Sequence, residues 1–226
     1  MKLGVLLPTF RDGAADALSF ATHAVEAGVD GLFAYDHLWP MGSPTRPSLA
    51  PFSLLAAVAR RHETVIVGPL VARVGLVGTS HLVEEFLTLE RVAPSRVICA
   101  LGSGDKLSAA ENEAYDIPRR SADERRALMA ATARELSDRM PVWFGAGNDE
   151  TNRVAREVGA TINLWDASPE RVREMTTSGE VSWAGPTSTD LAATLSAVRD
   201  AGATWAVFAP DVDVEVLRQW RQEHDG

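Results

Sequence analysis

Short apolar runs rich in β-branched residues alternate with Ala-rich helical stretches along this whole chain. The runs are Leu3–Pro8, Gly31–Tyr35, Thr64–Val71, Arg96–Leu101, Pro141–Gly145, Thr161–Trp165, Glu180–Trp183 and Thr204–Ala209. Between them the pattern predicts helices near 14–27, 51–62, 79–92, 121–138, 149–157, 169–178, 187–201 and 211–223. Strands separated by helices run parallel, because each helix carries the chain back along the sheet it covers. A doubly wound open sheet would satisfy the same alternation. Eight repeats within 226 residues favour closure into a compact (β/α)8 TIM barrel. No Pro/Ser-rich linker divides the chain, so 1–226 reads as a single domain.

Local signals agree. Ala17, Leu18, Ala21, Ala24 and Val25 form one apolar stripe at helical spacing, and Gly28 follows as its stop. Ser168 ahead of Pro169 and Glu170 reads as an N-cap with Pro at the first helical position. Thr187-Ser188-Thr189-Asp190 opens the next helix and Gly202 ends it.

Composition excludes several classes. The net charge is −9 and no basic stripe is visible, so nucleic acid is not an expected partner. No apolar stretch approaches a membrane span, and the run after Lys2 is cut by Pro8, Arg11 and Asp12, unlike a signal peptide. A cytoplasmic location is the expectation. Cys99 lies within Arg96–Leu101 and reads as a small core hydrophobe. Of the 22 basic residues only Lys2 and Lys106 are lysine, and only Lys106, in a loop, could serve Schiff-base chemistry. His23, His37, His62, His81 and His224 form no H-x-H or H-x-x-x-H pair, which argues against a metal site. In so acidic a chain an anionic ligand needs local help from Arg or backbone N–H groups.

The longest loops, 36–50, 72–78 and 102–120, all follow strands and so fall on the carboxyl-end face, where barrel enzymes keep their chemistry. The segment Tyr35-Asp36-His37-Leu38-Trp39-Pro40 brings a carboxylate and an imidazole to that face, although a polar strand end before a Pro turn would read the same. Leu101-Gly102-Ser103-Gly104-Asp105 is small enough to admit a ligand ring, or is a plain glycine turn. Arg73, at the end of the third strand, suits a carboxylate or phosphate, or solvent. Glu111, Asn112 and Glu113 lie over the same face, or on a short surface helix. His81 faces pocket or solvent, and Glu84, Glu85 and Glu90 read as a solvated helix face. Gly145-Ala146-Gly147-Asn148 precedes a helix carrying Arg153 and Arg156, which suits a phosphate or an ordinary capped loop. Trp39, Trp143, Trp165 and Trp183, at or near strand ends, offer walls for a planar cofactor, or core.

Taken in order, these segments resemble the bacterial luciferase-like flavin oxidoreductases, above all their deazaflavin (coenzyme F-420) branch. The resemblance runs over nearly the whole chain. It rests on Gly4–Pro8, on Asp36, His37, Leu38 and Pro40, on Gly68–Ala72 followed by Arg73-Val74-Gly75-Leu76, and on Leu101–Asp105 with Glu111, Tyr115, Ile117 and Pro118. Pro141–Gly145 and Gly185-Pro186-Thr187 complete it. It implies a (β/α)8 barrel holding a flavin-type ring, and hydride transfer between coenzyme F-420 and a small-molecule substrate. An FMN-dependent luciferase-like monooxygenase and a non-catalytic flavin-binding barrel are the alternatives.

By that resemblance His37 manages the proton, with Glu113 or Asp105 as a second acid–base. Asp36 holds cofactor or imidazole. A bulge at Val71 and Ala72, in relatives often with a non-proline cis peptide, backs the ring beside Arg73, Gly102, Ser103, Gly104 and Asn112. The turn Gly145, Ala146, Gly147 and Asn148 takes the tail phosphate. The family's Gly-Glu-x-x-Asn-Glu acid motif is altered here, with a longer gap between Gly104-Asp105 and Asn112-Glu113. Insertions that cover the site in longer relatives are missing, which leaves the pocket open or completed by another subunit, and a homodimer is expected.

Overall fold

The computed structural model describes residues 1–40, 42–104, 108–145 and 148–224. Asp105, Lys106, Ala146 and Gly147 lie outside the described residues. The strands are β1 (Lys2–Leu6), β2 (Gly31–Ala34), β3 (Ile66–Pro69), β4 (Ala72–Arg73) and β5 (Cys99–Gly102), then β6 (Val142–Gly145), β7 (Thr161–Trp165), β8 (Val181–Gly185) and β9 (Trp205–Phe208). The helices are α1 (Ala15–Glu26), α2 (Pro51–Arg61), α3 (Thr79–Val92), α4 (Ala109–Ala114), α5 (Ala122–Leu136), α6 (Asp149–Glu157), α7 (Pro169–Thr176), α8 (Leu191–Asp200) and α9 (Val214–His224).

All strand pairings are parallel, in the order β3-β2-β1-β9-β8-β7-β6-β5-β4. The two ends of this sheet meet where Val67 bridges Val97, just ahead of β5. Val67 N–H donates to Arg96 O at 2.8 Å and Ile98 N–H to Val67 O at 3.0 Å. The result is the expected (β/α)8 barrel, with its third strand divided.

That division corrects the continuous strand expected over Thr64–Val71. β3 pairs with β2 and β4 with β5, and between them the Leu70–Val71 peptide is cis. Two residues explain the changed pairing. Pro69 has no N–H to give a ladder. Gly68 lets the neighbouring backbone close in, since a Cβ there would lie 2.5 Å from Ile98 O.

Large rings fill the barrel interior. Phe33, Trp143 and Trp205 pack with centroids 5.5 to 5.8 Å apart, among Leu6, Ile98 and Val207. Gly4 and Gly31 make the room: Cβ atoms there would stand 2.7 Å from the Phe33 ring and 2.9 Å from the Trp205 ring. A second apolar layer, including Leu55, Phe86, Leu136, Leu195 and Leu217, joins the strands to the helices. Cys99 is fully buried in it, and burial pushes its thiol well above the ordinary range.

The helix starts follow the sequence signals. Ser168 Oγ accepts from Arg171 N–H, and Ser121 forms a reciprocal capping box with Glu124. α8 begins later than expected because Asp190 is its cap, accepting from Ala193 N–H. Thr187 instead donates to Asp211. Among the described residues no helix is long and apolar enough to cross a membrane.

Candidate active site

The strand ends open into a cleft of about 810 Å³ on the carboxyl-end face, a size that suits a coenzyme. One wall is aromatic. Phe10 stacks on Tyr35 at 5.5 Å with 5° between the planes, and Tyr35 leans on Trp165 at 6.4 Å. Trp165 is 51% exposed and lines the cleft. Burial, reinforced by Asp211, pushes the Tyr35 phenol up to about 12, so it stays protonated as a potential donor. Of the other three tryptophans expected near strand ends, Trp143 and Trp183 are core, and Trp39 packs on Tyr115.

Val71, in the break between β3 and β4, also lines the cleft. Its side chain occupies space that glycines vacate: a Cβ on Gly102 would lie 2.2 Å from Val71 Cγ2, and one on Gly145 3.1 Å from Cγ1. Ser103, Gly104 and Asn112 also line the cleft. Ala72 is fully buried in β4 and does not.

Asp36, His37, Arg73 and Glu111 form a buried polar network beside Val71. Asp36 and Arg73 clasp each other in both directions: Arg73 N–H donates to Asp36 Oδ2 and Arg73 Nε–H to Asp36 O, each at 2.8 Å. Arg73 Nη1 then meets Glu111 Oε2 at 2.6 Å. The other side of Glu111 faces His37, whose Nδ1 lies 3.2 and 3.3 Å from its two oxygens. Trp39 N–H also donates to Glu111, at 3.4 Å. Glu111 is 1% exposed and Arg73 6%, so each is held in place by its partners rather than by solvent. Burial raises the Asp36 carboxyl above its ordinary value, and the Arg73 N–H and guanidinium pull only partly the other way. Arg73 Nη2 is buried with no hydrogen-bond partner among the described residues.

This arrangement sets the histidine's tautomer. A carboxylate beside Nδ1 accepts, so Nδ1 donates and the second ring nitrogen, Nε2, is left for proton exchange. His37 lines the cleft, and Nε2 has no protein partner among the described residues. The imidazole is therefore held by Glu111, not by Asp36. Glu113, expected with Asp105 as an alternative second acid–base, is exposed on α4 and does not line the cleft.

The turn after β6 is partly at the cleft. Gly145, Asn148 and Thr151 line it. Asn148 Oδ1 caps α6 by accepting from Thr151 N–H at 2.9 Å. Arg153 and Arg156, expected to aid an anion there, do not line the cleft. Arg153 pairs with Glu157, and Arg156 donates to Ser178. His81 is likewise outside, paired with Glu85 on the surface. The positive side chains at the cleft are instead Arg73, Arg119, Arg120, Arg125 and Arg126. The last four sit in or directly after the long loop 102–120, and the Arg-Arg doublets at 119–120 and 125–126 were the available signal.

A parallel (β/α)8 barrel with a divided third strand and a coenzyme-sized cleft lined by an Asp-His pair defines the class of barrel to which the chain belongs. A profile of the luciferase-like monooxygenases matches residues 1–198, and the chain belongs to that family. It is 31% identical over 111 residues to an F420-dependent glucose-6-phosphate dehydrogenase of Beutenbergia cavernae, a match covering 49% of this chain and 33% of that protein. The match thus spans about a third of that relative's length. Among solved structures, an F420-dependent secondary alcohol dehydrogenase in complex with an F420-acetone adduct superposes with a TM-score of 0.77 at 12% identity, over 98% of this chain and 97% of that one. The monooxygenase RslO1 from Streptomyces bottropensis gives 0.74 at 13%, over 99% and 98%. At these identities the structural likeness concerns the fold.

Proposed function

We propose that this chain is a coenzyme F-420-dependent oxidoreductase, transferring a hydride between the deazaflavin and a small organic substrate. The observation that carries the reading is the Glu111-oriented His37 in a cleft lined by Val71 and by aromatic rings. The F420-dependent relative at 31% identity supports the choice of coenzyme.

The residues present fit such a group. Gly102, Ser103, Gly104 and Gly145 keep the floor clear beside Val71, and the orphaned Arg73 Nη2 offers a buried donor. When bound, a deazaflavin supplies a ring carbon that gives or takes a hydride, favouring two-electron transfer over oxygen activation. Val71 and the Phe10–Tyr35–Trp165 wall orient what enters and exclude water from it. His37 Nε2 holds the proton that joins or leaves the substrate's heteroatom, while Glu111 stabilises the imidazolium through Nδ1–H. Asp36 fixes β4 by its bonds to Arg73, and Gly145, Asn148 and Thr151, which line the cleft, would hold the coenzyme's phosphate.

An FMN-dependent monooxygenase is the second reading, favoured by the family description and by the monooxygenase neighbour. Fluorescence-quenching titrations with coenzyme F-420 and with FMN at equal ionic strength separate the two. We expect tighter deazaflavin binding. FMN binding tenfold tighter, about 1.4 kcal/mol, overturns the assignment.

A further inference from the structure

Four arginines within eight residues line the cleft: Arg119 and Arg120 on the linker after α4, Arg125 and Arg126 on the first turns of α5. The chain carries a net charge of −9, and carboxylates are plentiful elsewhere on its surface. Several surface arginines are paired with them: Arg153 with Glu157, Arg171 with Glu174, Arg199 with Asp200 and Arg218 with Glu215. Arg126 pairs with Asp123, but Arg119, Arg120 and Arg125 have no ion pair among the described residues. Arg120 is attracted by Glu124, whose carboxylate is already tied to Ser121 N–H. Asp36 is the one carboxylate lining the cleft among the described residues, and its oxygen is turned to the Arg73 backbone.

The cluster is also built. Arg125 Nη1 donates to Arg120 O at 2.7 Å, which ties the linker to the helix. Arg125 Nε is buried without a partner among the described residues. Arg120 lies against Gly75, where a Cβ would stand 3.5 Å from its Nε. Guanidinium groups gathered on one wall repel one another unless an anion lies between them, and their planar forks match phosphate and carboxylate.

We propose that Arg119, Arg120, Arg125 and Arg126 form a subsite for an anionic arm, bearing phosphate or carboxylate groups, of a molecule bound in the cleft. It is separate from the turn at Gly145 and Asn148. Which molecule carries the arm, coenzyme or substrate, rests on the coenzyme reading above; the anion chemistry does not.

Inorganic pyrophosphate is the probe, titrated calorimetrically into wild type and into an Arg119→Ala/Arg120→Ala variant whose fold is checked by circular dichroism. Wild type is expected to bind pyrophosphate with an affinity that falls as salt rises, and the variant to bind it about tenfold more weakly or worse. Repeating the titration on protein saturated with coenzyme F-420 distinguishes the sources. Loss of pyrophosphate binding assigns the arm to the coenzyme, and the variant then weakens the full coenzyme but not a ring fragment lacking its anionic tail. Retained binding assigns the arm to the substrate. If pyrophosphate binds through these arginines while neither deazaflavin nor FMN binds, the coenzyme reading falls and the subsite stands. No binding to wild type, or equal binding to both proteins, overturns the subsite.

Discussion

Removing the Glu111 carboxylate tests the buried network at its centre. Glu111 bonds Arg73, His37 and the Trp39 backbone while almost wholly excluded from solvent. In Glu111→Ala, Arg73 keeps its bond to Asp36 O but has both terminal nitrogens unpaired in a site 6% exposed. Breaking a buried ion pair from one side costs about 3–5 kcal/mol. For a chain of this size that is roughly a 6–20 °C fall in Tm, at about 2–4 °C per kcal/mol. Glu111→Gln keeps the volume and one acceptor but loses the charge assistance, and should cost only about 1–2 kcal/mol. Replacing both partners, Arg73→Leu with Glu111→Leu, removes the stranded charge and should recover much of the loss. Urea unfolding followed by circular dichroism reads all three. If Glu111→Ala stays within about 1 kcal/mol of wild type, or the double variant is worse than Glu111→Ala, the pair is not buried and compensated as described.

Three further outcomes are expected. His37→Ala should lower turnover by on the order of a hundredfold, with coenzyme affinity changed much less; equal losses in steady-state rate and in titrated affinity would make His37 a binding contact instead. Asp36→Asn reports the buried carboxyl. Because folding raises its pKa, the stability it contributes is full below its ordinary value of 3.8 and is lost as pH rises through the folded value. The Tm difference between Asp36→Asn and wild type should therefore shift in the variant's favour as pH rises above 3.8; a flat difference refutes it. Gly102→Ala places a methyl 2.2 Å from Val71 Cγ2, and should cost about 1–3 kcal/mol by overpacking. Adding Val71→Ala should relieve that cost in the same denaturant melt.

Periodicity and local chemistry are properties of neighbouring residues, and they were legible in the chain. The alternation of strands and helices, the cap at Ser168, and the arrival of Asp36 and His37 at the carboxyl-end face all follow from residues a few positions apart. The split of the third strand was visible only as a bulge by resemblance, because it depends on Ile98 O meeting Gly68 across the barrel seam. Tertiary structure alone decided which carboxylate holds His37. Glu111 and Glu113 are indistinguishable in sequence, yet their positions on a one-and-a-half-turn helix turn the first onto Arg73, 38 residues away, and leave the second in solvent. The same holds for charge. Arg153 and Arg156 stood next to the expected phosphate turn but lie away from the cleft, while Arg119, Arg120, Arg125 and Arg126 reach it from the linker after α4 and the start of α5. Ion pairing and burial are decided by distance in space, which sequence separation does not encode.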